Sequence, residues 1–254
     1  MTVQLRLDDK TALVTGALGS LGRAQSEAYA AAGARVILLD RPDNENGAAF
    51  ASELAKKHGV ETTYVGHDLS DLEATEARGH ALSEQFGGID ILVNNAALII
   101  NRPFEEFSVA EYDEQLRVNA AAALAMARAL APGMKRKKYG KIINFCSLTL
   151  NGRWDGYVPY VVSKGAMLGL TKGLARELGP HGICVNAISP GAVVSEAEER
   201  VFGDRLAEYN SWILENQSLK TRIEPADVAA LSVFLASHAS DMISGQNIGI
   251  DGGW

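Results

Sequence analysis

Tyr160 and Lys164 stand four residues apart in the stretch Tyr157-Val158-Pro159-Tyr160-Val161-Val162-Ser163-Lys164, and Ser147 lies thirteen residues before the tyrosine. Positions i and i+4 share one face of a helix, so this spacing sets a phenol beside an ammonium group. A neighbouring positive charge favours the ionised phenol and lowers its pKa towards working pH. A phenol tuned in that way can take a proton from an alcohol or return one to a carbonyl. Taken alone, the two residues equally describe a half-buried tyrosine with a snorkelling lysine. Tyr157, the rival phenol, is followed four residues later by Val161 and has no such partner.

A second constellation lies near the N-terminus. Thr15-Gly16-Ala17-Leu18-Gly19-Ser20-Leu21-Gly22 joins a strand-like run to an amphipathic stretch. Such a turn lets backbone approach a pyrophosphate, with a helix N-terminus facing the negative charge. A plain tight turn is the alternative. Asp40 follows Gly22 by eighteen residues, at the end of the second strand. An acid there can accept hydrogen bonds from the adenosine ribose hydroxyls and repels a 2′-phosphate. With no basic residue inside the turn, NAD is the expected coenzyme, although Arg41 is of the type that binds the NADP phosphate. Asp68-Leu69 falls where the adenine edge would lie, and Asp68 serves equally as an N-cap or Asx turn.

The elements that must position these groups follow from periodicity. Short β-branched runs (11–15, 35–39, 62–66, 89–93, 141–146, 183–188, 247–250) alternate with helical stretches (21–32, 45–57, 72–86, 109–131, 157–178, 225–236). Pro132-Gly133 is expected to close the long fourth helix. Alternating strands and helices imply an α/β fold, a doubly wound parallel sheet of about seven strands with helices on both faces. The 254 residues suit a single domain. The one long irregular interval, about 192–224, is expected to be a substrate lid.

A net charge of −7 and the absence of a long basic run argue against nucleic acid. No apolar stretch reaches membrane-spanning length. The N-terminus carries acids and does not resemble a signal peptide, so a cytoplasmic protein is expected. Cys146 and Cys184 lie in apolar runs and are expected to be buried free thiols, and the five histidines show no metal-ligand spacing.

Together these residues resemble the short-chain dehydrogenase/reductase family. The resemblance runs from Leu7 to Trp254, through the glycine turn, Asp68-Leu69, Asn94-Asn95-Ala96-Ala97, Asn119, Ser147, Tyr160 with Lys164, Pro190-Gly191 and the ending Gly245-Gln246-Asn247 with Asp251-Gly252-Gly253. Ser20 and Ala97 stand where the family usually has glycine, and Ser195 where it often has threonine. The resemblance implies that Tyr160 is the general acid/base, that Lys164 lowers its pKa and holds the nicotinamide ribose, and that Ser147 binds the substrate oxygen. Asn119 would hold a water in a proton relay beneath Lys164, or be structural. Gly16, Leu18, Gly19, Ser20, Leu21, Asp40, Asp68, Leu69, Asn95, Ala96, Pro190, Gly191, Val193 and Ser195 would surround the coenzyme, with Tyr160 and Lys164. Family members are commonly homotetramers, so a homotetramer or homodimer is expected.

Substrate contacts are expected after Ala97 (Asn101, Arg102), after Ser147 (Asn151, Arg153, Trp154, Asp155) and from the interval holding Glu196, Tyr209, Asn210 and Trp212. This polar set suits a sugar, polyol or sugar acid, with Arg102 and Arg153 available to an anionic group. The expected reaction is NAD-dependent oxidation of a secondary or hemiacetal hydroxyl, or its reverse. A small aromatic or cyclic secondary alcohol is the runner-up substrate. A lyase or epimerase with tightly bound NAD, and a non-catalytic coenzyme-sensing module, are readings of other classes.

Overall fold

A computed structural model describes residues 5–152 and 154–254; Arg153 falls outside them. Seven parallel strands form one sheet in the order β3-β2-β1-β4-β5-β6-β7. They are β1 (Thr11–Thr15), β2 (Arg35–Asp40), β3 (Thr62–Gly66), β4 (Ile91–Asn94), β5 (Gly140–Phe145), β6 (Ile183–Pro190) and β7 (Asn247–Ile250). The inner strands read as unbroken apolar runs because both faces are covered. In β1, Leu13 packs with Ile37, Leu39, Leu92 and Ile142 on one side, while Val14 packs with Val36, Leu38, Ile91 and Val93 on the other.

The order reverses between β1 and β4, and a crevice opens there at the strand C-termini. On one flank stand α1 (Ser20–Ala31), α2 (Gly47–His58) and α9 (Pro225–Ala236). Tyr29 of α1 fixes this layer through a 2.8 Å contact between its hydroxyl and Ser232 Oγ of α9. The other flank carries α3 (Leu72–Gln85), α4 (Val109–Leu116), α5 (Ala122–Lys137) and α6 (Val158–Leu178).

Three local readings are corrected. Helix α5 runs through Pro132 to Lys137 and does not stop there. An interior proline costs about 3 kcal/mol. Full burial of Leu130 and Met134 on either side contributes about 1.5–3 kcal/mol each and outweighs it. The single helix expected over 109–131 is interrupted by a π-helical turn, Arg117–Ala121, which carries Asn119. The interval after β6 is not irregular: it holds α7 (Glu196–Phe202) and α8 (Leu206–Asn216). Ser195 caps α7, accepting from the Glu198 N–H at 3.3 Å, and Glu196, Glu198 and Glu199 place acid at the positive end of the helix dipole.

Cys146 is buried and Cys184 only half-buried, and both are free thiols. Among the described residues, no helix is long and apolar enough to cross a membrane.

Candidate active site

The glycine turn does what its spacing requires. Gly16 has φ +62°, and a Cβ there would stand 2.8 Å from Ala96 Cα. A Cβ on Gly22 would lie 2.0 Å from the Gly16 carbonyl oxygen, so only glycine lets α1 start this close to its own loop. A Cβ on Gly19 would meet nothing nearer than 3.9 Å. The N-cap of α1 has no side-chain hydrogen bond, so the first N–H groups of the helix are left for a ligand. An anionic pyrophosphate fits this cradle.

Around the cradle lies a cleft of about 590 Å³. Of the residues expected at the coenzyme, Gly16, Gly19, Ser20, Leu21, Asp40, Asp68, Leu69, Asn95, Ala96, Tyr160, Lys164, Pro190, Gly191, Val193 and Ser195 line it. Leu18 does not. Its side chain is buried and its N–H donates to Asp40 Oδ2 at 2.8 Å. The other Asp40 oxygen accepts from the Arg41 N–H at 2.8 Å, which fixes the carboxylate at the cleft wall. Asp68 accepts from the Ser70 N–H at 2.9 Å, and that bond, with the nearby Arg41, holds its carboxyl below the usual range. Asn95 staples the turn: its Nδ2 donates to the Thr15 and Gly16 carbonyls, both at 3.0 Å.

Ser147 and the Tyr160–Lys164 pair reach the same cleft from different elements. Ser147 follows β5. Its Oγ accepts from the Thr149 N–H at 3.1 Å and the Thr149 hydroxyl at 3.0 Å, which leaves its own O–H to donate. Tyr160 and Lys164 sit in the first two turns of α6, with the ammonium 5.3 Å from the tyrosine ring centroid. Lys164 is 2% exposed, and its Nζ donates to the Phe145 carbonyl at 2.7 Å.

Here the expected pKa direction is corrected. Burial pushes the Tyr160 phenol up to about 12, opposed by a hydrogen bond from Ser147. Burial likewise presses Lys164 down to about 8. Desolvation penalises the charged form of each group. Burial outweighs the nearby ammonium at the phenol. At neutral pH Tyr160 is therefore a protonated acid.

Asn119 is buried behind the cleft. Its Oδ1 accepts from the Leu98 N–H at 2.6 Å, and its Nδ2 donates to the Leu98 carbonyl at 2.9 Å and to Ser163 Oγ at 3.0 Å. Its side chain is thus a clamp on the segment after β4 and not a free hydrogen-bonding group for a relay.

The expected substrate residues fare differently. Arg102 does not line the cleft: its guanidinium pairs with Glu111 and lies 4.4 Å from the centroid of the Phe107 ring. Asn151 is exposed and outside the lining. Trp154 is also outside it, stacked on Trp254 with centroids 4.7 Å apart and edge-on to Trp212 at 5.6 Å. Arg153 lies outside the described residues. From the interval after β6, Glu196 and Tyr209 line the cleft as expected, while Asn210 and Trp212 do not. Tyr157, the rival phenol of the Tyr160 motif, lines it too, and the unforeseen wall residues are His67 near Asp68 and Glu198 of α7.

Comparison with known proteins agrees with this geometry. Residues 16–254 match a family model described as enoyl-(acyl carrier protein) reductase. The chain belongs to the short-chain dehydrogenase/reductase family. It is an oxidoreductase of that family acting on CH–OH groups. It is 34% identical to D-threitol dehydrogenase of Mycolicibacterium smegmatis over 249 residues, covering 98% of this chain and 94% of the relative. It is 36% identical to D-xylose 1-dehydrogenase of Caulobacter vibrioides over 248 residues, covering 98% and 96%. The crystal structure of L-sorbose reductase from Gluconobacter frateurii, complexed with NADPH and L-sorbose, superposes with a TM-score of 0.92 at 29% identity, covering 99% of this chain and 98% of that one.

Proposed function

We propose that this short-chain dehydrogenase/reductase interconverts a secondary or hemiacetal hydroxyl of a neutral polyol or aldose and the corresponding carbonyl or lactone, with NAD as coenzyme. The observation that carries the reading is the convergence of Tyr160, Ser147 and Lys164 on the cleft that the glycine turn opens. When bound, the nicotinamide supplies the hydride acceptor or donor. The chain's own groups do the rest. Ser147 donates its O–H to the substrate oxygen and orients it. Tyr160 gives the proton to that oxygen in reduction and takes it in oxidation, a role that typically contributes about a hundred- to ten-thousandfold. Lys164, braced by Phe145, supplies a buried positive charge beside the phenolate that oxidation requires.

Asp40 supports NAD. Its carboxylate is pinned by two backbone N–H groups at the cleft wall, so it cannot swing away from a 2′-phosphate. Arg41 also lines the cleft, and the sorbose reductase structure holds NADPH, so NADP is the second reading. The relatives support a sugar, polyol or sugar acid, since threitol and xylose dehydrogenases name neutral substrates and gluconate 5-dehydrogenase names an acid. The preference for a neutral substrate rests on the wall. Of the two cations expected to hold an acid, Arg102 is taken by Glu111 and Arg153 lies outside the described residues. Among the described residues, the lysine and arginines of the lining are Arg41 beside Asp40, Lys164 under Phe145, and Arg200 on the exposed side of α7.

One domain with a lid over about 192–224 belongs to the same reading, as does assembly into a homotetramer or homodimer through exposed Leu124, Val158 and Val162 on α5 and α6. The test is a panel of polyols, aldoses, sugar acids and aryl alcohols followed at 340 nm with NAD and NADP. Turnover of neutral sugars with NAD is expected. Turnover of aryl alcohols alone rejects the sugar reading. Substrate conversion without reduced coenzyme in solution points to a lyase or epimerase.

A further inference from the structure

The inner face of the lid carries a charge pair that the roles above leave unused. Glu198 of α7 lines the cleft with its side chain only 10% exposed. Arg222, beyond α8, donates from Nη2 to both Glu198 oxygens at 2.6 and 2.7 Å and to the Ala192 carbonyl at 3.2 Å. Its Nη1 donates to Asn210 Oδ1 on α8. The Tyr209 hydroxyl also hydrogen-bonds Glu198. One guanidinium thus joins α7, α8 and the residue after the Pro190-Gly191 turn.

A latch alone does not account for a carboxylate here. Burying one is costly, and well-packed apolar groups join elements as firmly. A carboxylate offers about four acceptor positions. Arg222 takes two of them, and the carboxylate lines the cleft, so acceptor capacity remains for a ligand there. Glu198 also looks onto the reacting end. Tyr157, whose ring is 6.0 Å from that of Tyr160, lies within reach of its charge.

We propose that Glu198 is the lid's contact to the substrate: its carboxylate accepts a hydrogen bond from a hydroxyl of a neutral polyol or aldose and sets the preference for such substrates over sugar acids. The inference rests on the polyol reading above and deepens it. A substrate carboxylate meets Glu198 first, because Glu198 lines the cleft and Arg222 stands behind it. In Glu198→Gln the guanidinium charge is no longer balanced, and the lid turns from neutral to attractive for an anion.

The experiment compares kcat/KM for polyols and aldoses with that for aldonates of equal carbon number, in wild type and Glu198→Gln, together with coenzyme Kd. The expected result is a shift of the neutral-to-acid ratio by about tenfold or more towards the acid, with coenzyme Kd unchanged. A purely structural role lowers all substrates alike, and a ratio within twofold of wild type overturns the proposal. If Glu198→Gln does not fold, competition in wild type decides. A neutral polyol that inhibits about tenfold more strongly than the aldonate of its length supports it, and equal or stronger inhibition by the aldonate overturns it. Wild type that prefers neutral substrates with a ratio unmoved by Glu198→Gln sinks this proposal alone, and wild type that prefers aldonates sinks the neutral-substrate reading with it. Wild type that turns over neither class sinks the polyol reading with it.

Discussion

Asn119 separates two accounts of one residue. If its side chain is a clamp, Asn119→Ala removes three hydrogen bonds, two part-buried to the Leu98 backbone and one buried to Ser163 Oγ. Each such bond contributes about 1 kcal/mol net, so the loss is about 3 kcal/mol. For a chain of this size about 1 kcal/mol moves the melting temperature by roughly 2–4 °C. Differential scanning fluorimetry should therefore show a fall of roughly 6–12 °C. Leu98 also lines the cleft, so kcat/KM falls as the wall loosens. Ser163→Ala is the control. It keeps both bonds to Leu98 and should melt closer to wild type. A melting point for Asn119→Ala within about 1 °C of wild type, with activity lost, refutes the clamp and returns the residue to a proton relay.

Lys164 gives a pH signature. Burial lowers its pKa to about 8, so between that value and the ordinary 10.5 the unfolded chain binds more protons than the folded one. The penalty on the folded state is full below about pH 8 and is relieved as pH rises. Wild type should thus gain stability relative to Lys164→Met between pH 8 and 10, and a difference independent of pH over that range contradicts the buried-ammonium account. For the coenzyme, Asp40→Ala removes the pinned charge beside Arg41 and should raise NADP preference by about tenfold or more, measured as the ratio of kcat/KM values for the two coenzymes. An unchanged ratio assigns discrimination elsewhere.

Local features were legible where one residue type satisfies a local constraint. Gly16 and Gly22 are required by a positive φ and a 2.0 Å approach, and those demands show as a glycine pattern. Tyr160 and Lys164 share a face because a helix repeats. The parallel sheet followed because inner strands buried on both sides read as unbroken apolar runs. What depends on distant partners stayed hidden. Glu111, nine residues beyond Arg102, takes its charge while also completing the capping box with Ser108. Arg222 finds Glu198 across 24 residues, a pairing that no local spacing announces. The direction of the Tyr160 pKa failed for a related reason. Spacing reports a neighbour, but burial outweighs that neighbour at this site.

The proton path through Tyr160 is tested most directly by Tyr160→Phe, with turnover and coenzyme affinity measured on the same preparation. The phenol is the acid/base group in this account, so turnover falls by about two orders of magnitude or more while coenzyme Kd stays within about threefold. Turnover within about threefold of wild type contradicts the assignment.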